Sequence, residues 1–236
     1  VVCGLSYNFT IYDNPHLPKE FIETQERIGE RSQQYKARFL LGQWVSSDEA
    51  LFSNISTCDD FEFTNSICYI DPAFSVGGDN TAFTVLQRHA DIYYCYIYQD
   101  KKPITDLGIV TLFCKMVETF NIQCVYIEDR DSIKGYGTLS NKIKDIRNNM
   151  NIYFKIRPIM PKSNRYERII SLLIPMSTNI IKIMSYSTPS IFKDITSYRG
   201  DGKTNDDCLD AMVGAYIFAT GNNKLIKTHF NLGRVL

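Results

Sequence analysis

The apolar positions of this chain change their spacing near residue 60. Before that point, a loose apolar stripe from Lys19 to about Leu41 predicts a helix, which a polar connector follows. Beyond it, short apolar runs alternate with turn residues, a pattern that predicts β-strands. The first three of these runs, at 67–70, 81–86 and 92–98, predict an antiparallel meander. The change in pattern predicts an opening segment at 1–60 and a folded domain at 61–236.

Helical and strand-like patterns alternate in the remainder of the chain. Apolar residues at helical spacing predict helices, and short β-branched or apolar runs predict strands between them. The predicted helices cover 104–120, 139–150, 165–173 and 206–219, and the predicted strands cover 122–127, 152–156 and 179–184. Three consecutive strands followed by this alternation favour a mixed α/β sheet.

The composition is that of an ordinary globular protein. Of the 236 residues, 44% are hydrophobic and 22% are charged. No apolar stretch approaches the roughly 18 residues that a membrane-spanning helix needs. The seven cysteines are scattered, are never spaced C-x-x-C and lie partly inside apolar runs. This distribution favours reduced thiols in a cytoplasmic protein over disulfides or a zinc site.

The formal net charge of zero conceals an asymmetry between the two parts of the chain. Residues 1–66 carry five basic and ten acidic residues, a net charge of −5, whereas residues 67–236 carry twenty-one basic and sixteen acidic, a net charge of +5. Part of this excess is a basic cluster formed by Lys155, Arg157, Lys162, Arg165 and Arg168. The cluster would suit contacts with phosphate groups, but a solvated helix face would have the same composition.

Four carboxylates stand at the predicted ends of strands and at the start of a helix. Asp71 and Glu128 each follow a short apolar run. Asp207 and Asp210 are three residues apart in the first turn of the last predicted helix, so they share one of its faces. Hard divalent cations prefer carboxylate oxygens, and two such cations can cleave a phosphodiester bond. The grouping therefore predicts a metal-dependent nuclease.

Each of these positions also has a purely structural interpretation. Asp71 precedes a proline and would suit a turn, and Glu128 opens a charged stretch typical of a surface loop. The helix dipole would stabilise Asp207 in a first turn regardless of function. Asp79 lies in Gly-Gly-Asp-Asn, which favours a hairpin turn. Asp129 would point to the opposite face of the strand from Glu128, and whether Asp79 or Asp129 assists the site stays open.

Small residues in the last predicted helix bear on whether the carboxylates can meet. Ala211, Gly214 and Ala215 follow the acidic pair. Without large side chains on that face, the helix can lie close to a sheet and bring its acidic start near the strand ends. This favours a functional role for Asp207 and Asp210 over capping alone.

In their order along the chain, these residues resemble the C-terminal nuclease domain of phage terminase large subunits, the motors that package DNA into procapsids. The resemblance rests on the ordered set of motifs. The set comprises Asp71-Pro72-Ala73, Gly78-Asp79-Asn80-Thr81-Ala82, Val125-Tyr126-Ile127-Glu128, Lys162-Ser163-Asn164-Arg165 and Asp207-x-x-Asp210-Ala211. The stretches 12–17 and 39–44 also resemble the segment that joins motor to nuclease.

The resemblance implies a ribonuclease H-like fold, a five-stranded or slightly larger mixed sheet with its first three strands antiparallel, flanked by helices. It also implies two Mg²⁺ or Mn²⁺ ions that cut concatemeric DNA. Carried over to this sequence, Asp71 would bridge both ions. Glu128 and Asp210 would complete the catalytic set, and Asp207 would be a further metal ligand at a position that varies among members.

The resemblance further implies partners and a location. Lys162 and Arg165 would contact double-stranded DNA. Residues 1–60 would be the tail of an ATPase motor domain in the same full-length chain. A portal protein and a small terminase subunit are expected partners, and a membrane is not. The expected location is the cytoplasm of the bacterial host, with transient docking on the procapsid portal.

Two other functions stay open at this point. A different ribonuclease H-like enzyme, of the resolvase, transposase or integrase type, could use the same carboxylates. The opening segment, which contains Trp44, argues against it. A non-catalytic module could instead keep the fold and dock a portal or a regulator, although the full set of acidic ligands argues against that function.

Overall fold

A mixed β-sheet covered by helices on both faces organises the protein. The computed structural model describes residues 9–31, 35–43, 50–52, 55–73, 80–104, 106–128, 138–161, 164–202, 204–221 and 226–227. The strands are β1 (Thr57–Cys58), β2 (Ser66–Asp71), β3 (Thr81–His89), β4 (Ile92–Asp100), β5 (Ile122–Glu128), β6 (Lys155–Pro161), β7 (Ile181–Met184) and β8 (Ile226–Lys227). The α-helices are α1 (Lys19–Arg31), α2 (Leu107–Thr119), α3 (Thr138–Asn149), α4 (Arg165–Ile170), α5 (Leu173–Ser177), α6 (Ser190–Ser197) and α7 (Asp207–Thr220). A 3-10 helix at Ile11–Asp13 and a π-helix at Lys36–Leu40 lie in the opening segment.

The strand order within the described residues is β1-β7-β4-β3-β2-β5-β6-β8. The three long consecutive strands β2, β3 and β4 pair antiparallel, which confirms the predicted meander. β5 runs parallel to β2, and β6 runs parallel to β5. The five strands β4-β3-β2-β5-β6 are therefore the predicted mixed sheet. It is enlarged by β7 and β1 beyond β4 and by β8 beyond β6.

The two faces of the sheet bury separate hydrophobic cores. Successive side chains of a strand point to opposite faces. In β2, Cys68 and Ile70 therefore pack into the core beneath α2 and α3, which we call the α2 face. Tyr69 packs into the other core, beneath α7 and with residues of α1, α4, α5 and α6, which we call the α7 face. By the same alternation, Asp71 lies on the α7 side of the sheet.

The opening segment contributes to the core of the α7 face. Ile28 of α1, Tyr35 and Leu40 are buried and belong to the same apolar cluster as the sheet residues beneath α7. The predicted helix from 19 to 41 is present as α1 and the π-helix, and residues 32–34 between them lie outside the described part. Trp44 also lies outside it.

Some predicted element boundaries differ from the structure. The predicted strand 152–156 begins only at Lys155, because Asn151 takes a left-handed conformation with φ 55° and turns the chain after α3. The predicted helix 165–173 is two short helices, α4 and α5. A continuous helix would require a backbone N–H at Pro175 to bond the carbonyl of Ser171, and proline has none. The helix α6 and the two-residue strands were not predicted.

Two predictions from composition can be compared with the described residues. The six described cysteines are free, and four of them are buried. Among the described residues, we find no helix with the length and apolar character required to cross a bilayer.

Candidate metal centre

Asp71 and Glu128 end two neighbouring parallel strands at the same edge of the sheet. Ile70 of β2 pairs with Ile127 of β5, so the next residue of each strand lies beside the other. Asp71 is buried, with 8% of its surface exposed, and Glu128 has 16% of its side chain exposed. The strand register thus brings together the two carboxylates that the sequence placed at strand ends.

Helix α7 delivers the other two carboxylates. It packs across β2, β3 and β4, and its first turn holds Asp207 and Asp210, which are 3% and 1% exposed. The close approach depends on Gly214, because a Cβ at that position would overlap the ring of Tyr69. This agrees with the expectation that small residues let the helix lie against the sheet.

Backbone and side-chain bonds orient two of the four carboxylates. The backbone N–H of Asn80, the residue immediately before β3, donates to Asp207 Oδ2 at 2.7 Å. The hydroxyl of Tyr69 donates to Glu128 Oε1 at 2.6 Å. Asp207 therefore ties the start of α7 to the beginning of β3. Tyr69 of β2 ties Glu128, the last residue of β5, to the neighbouring strand. Asp206, next to Asp207, makes no side-chain capping bond with the helix.

Two arginines of α4 reach into the site. Nη2 of Arg168 lies 2.6 and 2.7 Å from the two carboxylate oxygens of Asp210, and its Nη1 lies 3.6 Å from Glu128 Oε1. Arg165 contacts Asp210 through Nε at 3.0 Å and Asp206 through Nη1 at 2.9 Å. Arg168 is buried, whereas Arg165 has 42% of its side chain exposed. Asp210 therefore has two cationic partners, and Arg168 links it to Glu128.

Asp71 has one buried oxygen, Oδ2, that makes no hydrogen bond to another described residue. Asp210 Oδ1 likewise makes none, although it lies 2.6 Å from Arg168 Nη2. Burial, reinforced by the negative charges of Glu128 and Asp210, raises the pKa of Asp71 well above its ordinary value. A buried acceptor without a donor is costly unless another group, such as a cation, satisfies it.

The electrostatics of Asp210 show how strongly the site disfavours uncompensated negative charge. Burial raises the pKa of Asp210 to about 7, outweighing the opposing effect of Arg168. Glu128 adds to the rise, and Arg165 opposes it. Both Asp71 and Asp210 thus bind protons more readily than a solvent-exposed carboxylate does.

The donor set fits a hard divalent cation. Carboxylate oxygens are the ligands that Mg²⁺ and Mn²⁺ prefer, and the unpartnered Asp71 Oδ2 is available to one. Among the described residues, however, no group of three or more His, Cys, Asp or Glu side chains stands in an arrangement that could hold a metal ion. In this arrangement the guanidinium groups of Arg165 and Arg168 both contact Asp210.

The predicted site residues can now be placed. Asp71 interacts electrostatically with Glu128, Asp207 and Asp210, and Asp210 also interacts with Glu128. Arg165 lies beside Asp210. Lys162, Asp79 and Asp129 lie outside the described residues.

Sequence reasoning missed the contribution of Tyr69 and the direct contacts of Arg168. The spacing of Arg165 and Arg168 was the available signal for the latter, because residues three apart lie on the same face of a helix. Nothing in the apolar run at 67–70 distinguished Tyr69 from an ordinary core residue.

Comparisons with known proteins agree with this architecture. The solved structure of a large terminase from a thermophilic bacteriophage matches with a TM-score of 0.55 at 16% identity, and the match covers 87% of this chain and 54% of that one. The human cytomegalovirus terminase nuclease domain gives a TM-score of 0.53 at 10% identity, with 76% of this chain and 93% of that one covered. A search of curated proteins found no match. At these identities the structural matches establish the fold.

Family models establish the relationship itself. Residues 4–57 match a family described as the terminase large subunit, T4likevirus-type, N-terminal. Residues 68–218, which run from β2 into α7 and include all four carboxylates, match the terminase RNaseH-like domain. Because this second match spans more than half of the sequence, the chain belongs to the terminase RNaseH-like domain family, the nuclease domain of terminase large subunits.

Proposed function

We propose that this protein is the nuclease of a viral genome-packaging terminase, which uses two Mg²⁺ or Mn²⁺ ions to hydrolyse phosphodiester bonds in concatemeric double-stranded DNA. The electrostatic interaction of Asp71 with Glu128 and Asp210, together with the buried Asp71 Oδ2 that makes no hydrogen bond to a described residue, carries this proposal. A Mn-soaked, inhibitor-bound human cytomegalovirus terminase nuclease domain matches this fold with a TM-score of 0.51, which supports divalent-metal binding here.

Four carboxylates would hold the ions: Asp71, Glu128, Asp207 and Asp210. When bound, such ions polarise the scissile phosphate and activate a water molecule. Neighbouring residues fix the orientation of two of these carboxylates. The Asn80 N–H fixes the orientation of Asp207, and the Tyr69 hydroxyl fixes that of Glu128. Burial of Asp71 and Asp210 strengthens their electrostatic interactions and limits competition from water.

Arg165 is the described residue best placed to meet the DNA backbone. Its side chain is partly exposed and stands at the rim of the site, where it contacts Asp206 and Asp210. An arginine in that position can pair with a phosphate through two parallel hydrogen bonds. Lys162 is proposed to add a second phosphate contact, as the sequence suggested.

The wider assembly is also part of the proposal. The chain spans about half of the large terminase from the thermophilic bacteriophage, 54% of that chain. We propose that residues 1–60 are the tail of an ATPase motor domain, and that the full-length protein works with a portal protein and a small terminase subunit. The site of action would be the host cytoplasm and the procapsid portal.

The direct test is a nicking assay on supercoiled plasmid. The wild-type protein should nick and linearise the plasmid with Mn²⁺ or Mg²⁺ and leave it intact with EDTA or Ca²⁺. Asp71→Ala should be inactive, whereas the matched control Asp91→Ala should cut normally, because the Asp91 side chain is 96% exposed in the turn between β3 and β4. Cutting that persists in EDTA would contradict the proposal.

The same assay separates the two alternative functions. A preference for a four-way junction over linear duplex would favour a resolvase-like enzyme. Failure to cut any DNA with Mn²⁺, from a protein that melts cooperatively, would favour a non-catalytic docking module.

A further inference from the structure

Arg168 is a cation buried beside the carboxylates of the candidate metal centre. It lies on the short helix α4, is 4% exposed, and directs its guanidinium towards Asp210 and Glu128 rather than to solvent. The next two residues of the helix, Ile169 and Ile170, are buried in the core of the α7 face and anchor it there. The position of the guanidinium is therefore set by packing as well as by charge.

The contacts of Arg168 are those that a bound cation would make. Its two terminal nitrogens lie 2.6 Å from Asp210 and 3.6 Å from Glu128, so one charge bridges two of the proposed metal ligands. A buried carboxylate cluster without a cation repels itself, and a buried positive charge offsets that repulsion. Removing one partner of such a pair leaves an uncompensated buried charge.

We propose that Arg168 is a built-in counter-ion that holds Glu128 and Asp210 together in the metal-free site and competes with divalent cations for them. This rests on the proposed nuclease function, because it takes these carboxylates as metal ligands. Metal loading then requires the guanidinium to give up contacts with Asp210 or Glu128. The metal-free protein gains stability from Arg168 at the expense of affinity for the ion.

A purely structural role makes a different prediction. If Arg168 only ties α4 to α7, its removal should lower the melting temperature by the same amount with and without metal. If Arg168 instead orients the carboxylates for the ion, its removal should weaken metal binding. Only competition predicts that the variant is less stable without metal and binds metal more tightly.

The test uses Arg168→Met, Arg168→Lys and the matched control Arg147→Met. Arg147 donates to the carbonyl of Phe154 at 2.9 Å on the opposite, α2 face, so its loss removes an arginine bond far from the carboxylates. Melting temperatures are measured in EDTA and across a Mn²⁺ series, and Mn²⁺ affinity is measured by titration calorimetry.

Arg168→Met should melt several degrees below wild type in EDTA and gain more from Mn²⁺ than wild type does. Its Mn²⁺ affinity should rise about tenfold, the change expected when one charge contact no longer has to be displaced. Arg168→Lys keeps the charge but lacks the planar guanidinium. Its melting temperature in EDTA and its Mn²⁺ affinity should therefore lie between those of wild type and Arg168→Met. Arg147→Met should lower both melting temperatures equally.

A Mn²⁺ response in Arg168→Met that equals or falls below that of wild type would overturn the counter-ion role. If Arg168→Met does not fold, Arg168→Lys decides, because it must still bind Mn²⁺ more tightly than wild type. A wild-type protein with neither Mn²⁺ response nor nicking would overturn the proposed function itself. A wild-type response that the variants do not enlarge would remove only the inference about Arg168.

Discussion

Helices α2 and α7 both begin with aspartates, but they use them in opposite ways. Asp106 precedes α2 and accepts hydrogen bonds from the backbone N–H groups of Gly108 and Ile109, so it caps its own helix. In α7, the side chain of Asp207 accepts a hydrogen bond from the backbone N–H of Asn80, and Asp210 pairs with Arg168. Neither of these two contacts caps the helix. The same residue type at a helix start is a stabilising device on one face of the sheet and part of a candidate metal centre on the other.

The difference has an energetic consequence. Asp106 is partly exposed and satisfies groups that would otherwise lack partners. Asp210 is almost fully buried beside other carboxylates, and its pKa of about 7 reflects the free energy needed to keep it ionised there. An arrangement that disfavours its own charged state is typical of sites built to bind something.

The largest expected effect is on activity. Asp71→Ala should reduce metal-dependent nicking to background, because the variant lacks one of the carboxylates that would hold the ions. Asp106→Ala should cut at the wild-type rate. In EDTA the melting temperature of Asp71→Ala should be unchanged or higher, because removing one buried carboxylate relieves repulsion. Nicking assays and thermal melts of Asp71→Ala and Asp106→Ala test this difference between the two aspartates. Nicking by Asp71→Ala would contradict the proposed role of Asp71.

The next effect is the pH dependence of stability in EDTA. Folded-state pKa values of Asp71 and Asp210 are raised, so the folded protein binds more protons than the unfolded chain between about pH 4 and pH 7. The stabilising contribution of Asp210 is complete below about pH 4 and is lost as the pH rises through about 7, on the order of a few kcal/mol, and Asp71 contributes in the same direction. Chemical denaturation at several pH values measures it. Asp210→Asn should flatten this slope, whereas Asp106→Asn should leave it as it is.

A smaller effect should follow from crowding the contact between α7 and the sheet. Gly214→Ala places a methyl group against the Tyr69 ring and should cost about 1–3 kcal/mol of unfolding free energy. Because the Tyr69 hydroxyl bonds Glu128, nicking should fall as well. Combining Gly214→Ala with Tyr69→Leu should recover part of the stability without restoring full activity. Stability that is unaffected by Gly214→Ala would contradict the close packing.

The smallest effect concerns the cap of α2. Asp106→Ala removes the acceptor for two backbone N–H groups and should cost about 1 kcal/mol, which lowers the melting temperature by roughly 2–4 °C. The loss should be the same in EDTA and in Mn²⁺. A loss that depends on Mn²⁺ would mean that the two helix starts are coupled through the sheet.

Much of the fold and the four carboxylates could be predicted because they depend on local patterns. Asp71 and Glu128 follow apolar runs, and in-register parallel pairing places the ends of such strands side by side. The acidic start and small residues of α7 are likewise visible in the sequence. What these patterns predict is which residues approach the site.

The contacts made by those residues depend on the three-dimensional arrangement. Arg168 is separated from Asp210 by 42 residues, and its direction depends on where β6 ends and how α4 packs. The break between α4 and α5 depends on Pro175, whose effect on the preceding turn the apolar pattern did not reveal. Sequence periodicity identifies which residues share a face of α4, but it does not identify the residues that this face contacts.

The described sheet has a further consequence at its two ends. The outermost strands, β1 and β8, are each two residues long and flank the longer strands of the interior. A long unpaired strand edge is a template for joining sheets of different molecules, and short edge strands are one way in which proteins prevent this. Within the described residues, β1 and β8 are themselves too short to support extended pairing, and β8 covers only the last two residues of β6.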